Sequence, residues 1–232
     1  MLSDKPVLVW DIDGTLLEPK PVGRQALNMT FQQRYHIAGA FDSLDFSGAT
    51  DHALWDQVSQ QYPHLGLTTS EADGFFGHYV GVLETLLTQN PLYPLPSVST
   101  LIPLLSARGW PLALATGNVR AGAFTKLGAA GLAPYFPCGG YSRPHVDRLG
   151  LLRQVTRFFP NRLLVVIGDT PRDIEAAQLI GALSIGTATG RHASSVLQAH
   201  GADIVFDRLP DAVVFLKTLT DLIMRKAQER NS

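Results

Sequence analysis

Short apolar runs recur along the chain, and each is continuous rather than alternating between apolar and polar positions. They are VLVW (7–10), LALAT (112–116), LLVVIG (163–168), LSIGT (183–187) and DIVF (203–206). Continuous runs of this length are typical of strands whose two faces are both covered, and segments of helical character at 171–181 and 192–200 separate the later ones. YFPCGGY (135–141) is a weaker candidate for one more short strand. The pattern predicts an α/β fold with a parallel sheet.

The stretch 17–92 interrupts this pattern between the first and second predicted strands. It lacks a valine-rich run and is rich in His, Gln and aromatic residues. Its predicted helices lie around 22–36, 49–61 and 70–89. Prolines cluster at both of its ends, as expected for a two-stranded hinge. We therefore expect two domains, a core of 1–16 and 93–232 and a helical insert of 17–92.

Charge and cysteine content argue against several classes of protein. The 232 residues include 19 basic and 20 acidic ones, with a formal net charge of -1 and no long block of either sign, so the sequence predicts no binding to nucleic acid or to a membrane. No segment approaches the roughly 20 apolar residues of a spanning helix, and the N-terminus lacks the apolar core of a secretion signal. The single Cys138 cannot form an intramolecular disulfide. We expect a cytoplasmic protein, a monomer or homodimer, that acts on a small molecule.

Polar side chains follow three of the predicted strands, at the point where each strand ends. Asp11 and Asp13 follow the first strand, and Thr-Gly-Asn at 116–118 ends the second. Asp169 and Asp173 follow LLVVIG. Each aspartate alone would be an ordinary turn or helix-cap residue, but ends of parallel strands meet at one edge of the sheet, where ligands bind. A hard divalent cation with oxygen ligands would offset the clustered negative charge, and Mg²⁺ fits best.

These motifs, in this order, resemble the haloacid dehalogenase-like hydrolase superfamily, specifically its phosphoglycolate phosphatase-like branch. D-x-D-G-T at 11–15, T-G-N at 116–118 and G-D-x-x-x-D at 168–173 match the motifs of the family across nearly the whole chain. The resemblance implies a Rossmann-like parallel-sheet core with helices on both faces and a smaller helical cap domain inserted after the first strand. It also implies a Mg²⁺-dependent phosphoric monoester hydrolase whose substrate is a small phosphorylated metabolite.

The resemblance assigns different roles to the first two aspartates. In this family the first aspartate, here Asp11, attacks phosphorus and forms an aspartyl-phosphate. Asp13 would protonate the leaving oxygen and then activate the water that hydrolyses the intermediate. We expect its packing and the charge of its partner to hold its pKa up, as that role requires.

Further polar groups complete the implied site. Thr116 would donate its hydroxyl to the phosphoryl group, with Gly117 and Asn118 beside it to bind the substrate. The implied metal ligands are Asp11, Asp13 through its backbone carbonyl, Asp169 and Asp173. The last of these would be either a ligand or a partner that orients one.

The third motif of the family is a cation, usually a Lys before Pro, and this chain departs from that pattern. The segment reads GGYSRPHVDRLGLL over 139–152. Arg143 before Pro144 keeps the spacing of the family, whereas Arg148 follows an aspartate, as in some relatives. Both are candidates for the catalytic cation, and we prefer Arg143. An arginine carries the required charge but binds phosphate as a planar fork rather than as a point charge.

Alternatives to a phosphatase remain. Asp13 argues against dehalogenation, because dehalogenases resembling this fold lack the second aspartate. Phosphomutases of this branch bind a second phosphate with an Arg in a Gly-x-x-Arg loop of the cap; here the corresponding segment is 46–51, with Ala at the position of that Arg. A regulatory member that binds metal or phosphate without turnover is the other alternative. The candidates for binding the leaving group from the cap are Arg24, Arg34, Thr50 and Asp51.

Overall fold

A computed structural model describes residues 5–231, and within them six strands form one parallel sheet. The strands are β1 (Val7–Trp10), β2 (Leu112–Ala115), β3 (Gly139–Gly140), β4 (Leu164–Gly168), β5 (Leu183–Thr187) and β6 (Ile204–Phe206). Their order is β3-β2-β1-β4-β5-β6, with every neighbouring pair parallel. The chain runs outward from β1 to β3 and then continues on the other side of β1 with β4. Such a reversal leaves a crevice at the carboxyl ends of the central strands.

The helices lie both in the insert and between or after the strands of the core. Three lie between β1 and β2 in the predicted insert, and a fourth leads into β2; the others follow the later strands. They are α1 (Val22–Tyr35), α2 (Asp51–Gln61), α3 (Thr69–Gln89), α4 (Val98–Ala107), α5 (Arg120–Ala129), α6 (Arg148–Phe158), α7 (Pro171–Leu179), α8 (Ser194–Ala199) and α9 (Ala212–Asn231). None of the helices over the described residues combines the length and the apolar character that crossing a bilayer requires.

Alternate residues of the central strands enter two separate cores. On β1, Leu8 and Trp10 face a core that includes α4 and α9, and the Trp10 ring stacks on Phe215 with centroids 5.8 Å apart. Val7 and Val9 face a second core built with α6 and α7. Because both faces are covered, the strands have no polar alternation. The predicted α/β sheet with helices on both faces is confirmed.

The insert contains α1, α2 and α3, which begin and end within two residues of the predicted helices. Its buried aromatic side chains pack together. Its two connections to the core run side by side: the N–H of Leu95 donates to the carbonyl of Leu16 at 2.9 Å, and that of Glu18 to the carbonyl of Tyr93 at 3.1 Å. The insert thus enters and leaves at one place. That it forms a separate domain stays a prediction.

Candidate active site

A pocket of about 180 Å³ lies at the carboxyl ends of β1, β2 and β4, between the sheet and the insert. The core residues that line it include Asp11, Asp13, Thr116, Gly117, Asn118 and Asp169. From the insert come Arg24, Leu54, Tyr79 and Asp51. The structure therefore brings most of the residues singled out in the sequence to one place.

Arg148 is the cation that pairs with Asp11. It is the first residue of α6, directly after the N-cap Asp147, and is only 8% exposed. Its Nη2 lies 2.7 Å from Oδ1 of Asp11, and its Nε donates to Oδ1 of Asp173 at 2.6 Å. The guanidinium therefore bridges two buried carboxylates and holds the Asp11 side chain in the pocket.

Arg143 is placed differently. It lies on an exposed segment before α6 and is not among the residues that line the pocket. The geometry thus favours Arg148 and reverses the order of preference drawn from the sequence. The reason is local: the helix begins only at Arg148, so its first turn, and not the Arg-Pro turn five residues earlier, faces the strand ends.

Asp173 is buried behind the pocket rather than in it. Its Oδ2 accepts hydrogen bonds from the hydroxyl of Thr170 at 2.7 Å and from the backbone N–H of the same residue at 3.1 Å, while Oδ1 receives Arg148. Protein donors therefore occupy both oxygens, and Asp173 does not line the pocket. Two roles were predicted for Asp173, that of a metal ligand and that of a partner that orients another residue of the site. Its placement fits the second role better.

The backbone at Gly14 and Gly190 packs directly against the carboxylate of Asp169. The hydroxyl of Thr15 donates to its Oδ1 at 3.3 Å. A Cβ at Gly14, whose φ is +86°, would lie 2.6 Å from its Oδ2, and a Cβ at Gly190 would overlap the same oxygen. Both positions therefore need glycine, which lets two loops close over the carboxylate.

The carboxyl groups of Asp11 and Asp169 both have raised pKa values. Burial raises the pKa of Asp11 to about 7, with the charges of Asp173 and Asp13 adding to the rise and that of Arg148 opposing it. Burial, with the charges of Asp11 and Asp173, also raises the pKa of Asp169 well above its ordinary value. This edge of the sheet thus favours an added positive charge, either a proton or a cation.

The donor set fits a magnesium ion that keeps several of its own waters. Within the described side chains, no three carboxylate, imidazole or thiolate groups form a ready-made metal site. Mg²⁺ does not need one, because it commonly binds to one or two carboxylates and completes its shell with water and substrate phosphate. Asp11 and Asp169 provide such a pair.

Lys126, which the sequence analysis missed, holds Asp13. This lysine of α5 is 4% exposed, and its Nζ lies 2.8 Å from each carboxylate oxygen of Asp13 and 2.8 Å from Oδ1 of Asn118. Burial alone would raise the pKa of Asp13, but the Lys126 charge and the hydrogen bonds from Asn118 and Lys126 lower it. The expectation that packing holds this pKa up is therefore wrong. A signal was present in the sequence, since Lys126 follows Gly122 and Ala123 by four and three positions, a spacing that puts it on the same face of α5, which is buried.

The end of β2 presents a hydroxyl to the pocket. Asn118 donates to the Thr116 hydroxyl oxygen from its backbone N–H at 3.2 Å and from its side-chain amide at 2.7 Å. The same amide nitrogen lies 2.7 Å from Oδ2 of Asp13. Since the Thr116 oxygen accepts these bonds, its hydrogen can point into the pocket and donate to a ligand.

The insert docks on the core through the segment that leads into α2. The backbone N–H of Asp51 donates to the carbonyl of Gly117 at 2.7 Å, and the N–H of Val119 donates to Oδ2 of Asp51 at 2.7 Å. The N–H of His52 donates to the hydroxyl of Ser142 at 3.0 Å. A Cβ at Gly117 would overlap the carbonyl oxygen of Ala49, so this glycine permits the close approach.

The other three candidates from the insert differ in position. Arg24 lines the pocket, where it donates to the carbonyl of Leu44 at 3.2 Å and lies over the Phe46 ring. Thr50 caps α2, accepting from the N–H of Ala53 at 3.2 Å, and does not line the pocket. Arg34 donates to a backbone carbonyl on the exposed side of the insert and is also outside it. Of the candidates for the leaving group, the pocket thus includes Arg24 and Asp51.

Comparison with known proteins gives the family. A family model described as haloacid dehalogenase-like hydrolase matches residues 6–181. The Dickeya dadantii protein named Probable phosphatase IndB is 28% identical over 216 residues, which cover 90% of this chain and 92% of that protein. A phosphoglycolate phosphatase of Escherichia coli O157:H7 is 30% identical over 226 residues, which cover 88% of this chain and 89% of that protein.

Solved structures share the fold. One, described as a predicted phosphoglycolate phosphatase from Haemophilus somnus, superposes with a TM-score of 0.66 at 21% identity and covers 94% of this chain and 98% of that one. The resemblance drawn from the motifs, including its phosphoglycolate phosphatase-like branch, is confirmed. The chain belongs to the haloacid dehalogenase-like hydrolase family.

Proposed function

We propose that this hydrolase is a Mg²⁺-dependent phosphatase that acts on a small phosphorylated metabolite through an aspartyl-phosphate on Asp11. The observation that carries the proposal is the placement of Asp11, which lies in a pocket between sheet and insert and is paired with Arg148 at 2.7 Å. Thr116 and Asp169 line the same pocket. A nucleophile, a fixed cation and hydroxyl and carboxylate groups are thus gathered where a phosphate can enter.

The first step forms the covalent intermediate. An oxygen of Asp11 attacks phosphorus, the bond to the ester oxygen breaks, and the electron pair of that bond stays on the leaving oxygen, which takes a proton from Asp13. Arg148 and the Thr116 hydroxyl stabilise the charge on the phosphoryl oxygens. In the second step the Asp13 carboxylate takes a proton from water, the water oxygen attacks phosphorus, and the bond to Asp11 breaks. Asp11 is then a carboxylate again, and Asp13 returns to its carboxylate form when it releases its proton as inorganic phosphate leaves.

Asp13 must gain a proton before the first step. Lys126 and Asn118 lower its pKa in the free protein, so it begins as a carboxylate. The negative charge of an entering phosphate raises the pKa of a neighbouring carboxyl, which favours proton uptake with the substrate. Lys126 keeps the carboxylate aimed at the leaving oxygen through both steps.

The metal would be held by Asp11, Asp169 and the backbone carbonyl of Asp13. When bound, Mg²⁺ supplies positive charge that offsets the repulsion between an anionic nucleophile and an anionic phosphate. Asp173 stays outside this shell and orients Arg148, to which it is hydrogen-bonded.

The loop that enters α2 supports hydrolysis over transfer to a second substrate. Counting from Gly48 puts Asp51, rather than Ala49, at the position of the Arg in the Gly-x-x-Arg loop of phosphomutases. A carboxylate at that position would repel the second phosphate that a mutase must hold.

Hydrolysis of an aryl phosphate by the 232-residue chain tests the proposal. We expect turnover with Mg²⁺, its loss when a chelator is added, and its loss in Asp11→Asn. Asp221→Asn is the matched control, since it neutralises an exposed carboxylate of α9. Binding of phosphomonoesters without turnover across a broad panel would contradict a phosphatase and favour the regulatory alternative.

A further inference from the structure

One carboxylate of the pocket has no role in the proposed reaction. Asp51, the first residue of α2, is 7% exposed and lines the same pocket as Asp11 and Asp13. Its Oδ2 accepts the N–H of Val119 at 2.7 Å, and its own N–H is fixed on the carbonyl of Gly117 at 2.7 Å. Over the described part of the chain, the hydrogen bonds of this carboxylate include none to its Oδ1. This side chain is therefore held in place with one oxygen left for a ligand.

Most cations of the pocket have partners in the protein: Lys20 pairs with Glu18 at 2.9 Å, whereas the exposed Arg191, which also lines the pocket, has no hydrogen bond or ion pair among the described residues. Lys126 uses its three hydrogens on Asp13 and Asn118. Arg148 bridges Asp11 and its partner behind the pocket. Arg24 is bonded to a backbone carbonyl, and its guanidinium carbon lies 4.4 Å from the centroid of the Phe46 ring. Within the described residues, Asp51 has no ion-pair partner, and burial raises its pKa to about 6, against the opposing effects of the Val119 hydrogen bond and the Lys126 charge.

Asp51 belongs to the side of the pocket where the leaving group departs. Its two backbone contacts, Gly117 and Val119, flank Asn118, whose amide donates to the leaving-group acid Asp13 at 2.7 Å. The negative charge of Asp13 also contributes to the raised pKa of Asp51. Asp51 therefore lies next to the group that would protonate the ester oxygen of a substrate.

We propose that Asp51 makes the pocket select phosphate esters whose alcohol carries a hydroxyl or ammonium group close to the ester oxygen, and disfavour those that carry a carboxylate there. This inference rests on the proposed phosphatase function. A donor on the substrate satisfies the open oxygen of Asp51, whereas a carboxylate would bring a second like charge to a buried one. The selected substrates then differ from phosphoglycolate, the compound in the names of several relatives.

Phosphate esters of two-carbon alcohols test this directly, because they differ only in the terminal group. The series is 2-aminoethyl phosphate, 2-hydroxyethyl phosphate, ethyl phosphate and 2-phosphoglycolate, and kcat/KM is measured for each with the 232-residue chain and Mg²⁺. We expect kcat/KM for the first two esters to exceed that for 2-phosphoglycolate by about tenfold or more. The value for ethyl phosphate should lie between these two levels. Preference for 2-phosphoglycolate over 2-hydroxyethyl phosphate would overturn the inference without any variant.

Asp51→Asn is the sharpest variant. Asparagine can still accept a hydrogen bond from the N–H of Val119 but carries no charge. The ratio of kcat/KM for 2-hydroxyethyl phosphate to kcat/KM for 2-phosphoglycolate should therefore fall by about tenfold. Asp56→Asn is the control, because Asp56 lies on the same helix outside this pocket and should leave the ratio unchanged. An unchanged ratio in Asp51→Asn would contradict the inference.

Hydrolysis of an aryl phosphate distinguishes a failure of the proposed phosphatase function from a failure of the substrate preference inferred for Asp51. If the aryl ester is hydrolysed but the series shows no dependence on Asp51, only the substrate class is wrong. If neither the aryl ester nor any member of the series is hydrolysed, the phosphatase function fails and the inference fails with it.

Discussion

The core side and the insert side of the pocket hold their polar groups in different ways. On the core side, Asp11 and Asp13 each have a buried cation within 3 Å, with distances of 2.7 Å to Arg148 and 2.8 Å to Lys126. On the insert side, Asp51 is held by backbone hydrogen bonds and has no ion-pair partner among the described residues. Asp11 and Asp13 are thus fixed by paired charges, whereas Asp51 keeps one oxygen without a donor among the described residues.

The two sides also differ in how they are held. The core groups follow strands of one sheet, whereas the insert meets the core both through apolar packing, in which Tyr79 of α3 lies against Gly122 of α5, and through polar contacts. One of these joins the Ser47 hydroxyl to Nε2 of His192 at 2.6 Å, and another joins His52 to Ser142. Docking of the insert therefore depends on buried apolar packing as well as on these bonds.

The largest expected effect separates the two arginines of the core side. Arg148→Ala removes the cation beside Asp11 and leaves that carboxylate and Asp173 unpaired, so kcat for an aryl phosphate should fall by about 10³ or more. Arg143→Ala is the matched control, since Arg143 is exposed and outside the pocket, and should stay within about twofold of the parent. Loss of turnover in Arg143→Ala beside an active Arg148→Ala would restore the preference drawn from the sequence.

The next effect concerns the contact between the two sides. Gly117→Ala puts a Cβ into the carbonyl of Ala49, so the insert cannot dock as it does here. We expect kcat/KM to fall by about 10²-fold, because reacting groups shifted by an ångström lose their alignment. Gly128→Ala provides the comparison, since this helical glycine of α5 has open space around it and Ala should leave kcat/KM unchanged. Equal activity of the two variants would show that docking is not needed for catalysis.

A smaller effect is expected from the residue that orients Asp13. Lys126→Met keeps the volume of the side chain but removes the donor to both carboxylate oxygens, so kcat should fall by about tenfold. Without that charge the pKa of Asp13 rises, so the alkaline limb of the pH–rate profile, where the proton that Asp13 must donate is lost, should move to higher pH. Lys217→Met removes an exposed lysine paired with Asp221 and should change neither quantity. A lower kcat with an unmoved profile would assign Lys126 a purely structural role.

Strands of the core, and the aspartate that follows the first of them, could be predicted from the sequence alone. β1 and β5 were identifiable at their full lengths, because both faces of the sheet are covered and the apolar runs end where the strands end. The nucleophile candidate Asp11 was identifiable for the same reason, since it follows a strand. α4 was harder to recognise, because Pro103 lies inside it.

What the sequence could not predict depends on contacts between distant elements. Lys126 is 113 positions from Asp13 and comes from a helix, so its pairing exists only once α5 packs beside the sheet. The choice between Arg143 and Arg148 depended on where α6 begins, and helix boundaries are the least certain part of a pattern. The open oxygen of Asp51 follows from docking of the insert, which no local pattern encodes.

The smallest effect concerns stability, and it tests whether the core side needs a cation. Asp11 has an ordinary pKa of 3.8 when unfolded and about 7 when folded, so the folded state binds its proton more tightly. Its contribution to stability is therefore full below about pH 4 and is lost as the pH rises to about 7. Other groups titrate in this range, so the informative quantity is the difference between the parent and Asp11→Asn.

We expect the melting temperature of Asp11→Asn, relative to the parent in the presence of chelator, to rise by a few degrees between pH 5 and pH 8. Asn has no charge to bury, whereas the parent must accommodate the ionised carboxylate beside Asp169. Saturating Mg²⁺ at pH 8 should reverse the difference, because the ion stabilises the parent by binding its folded state. A difference that stays constant with pH and does not respond to Mg²⁺ would mean that Arg148 alone neutralises this edge of the sheet.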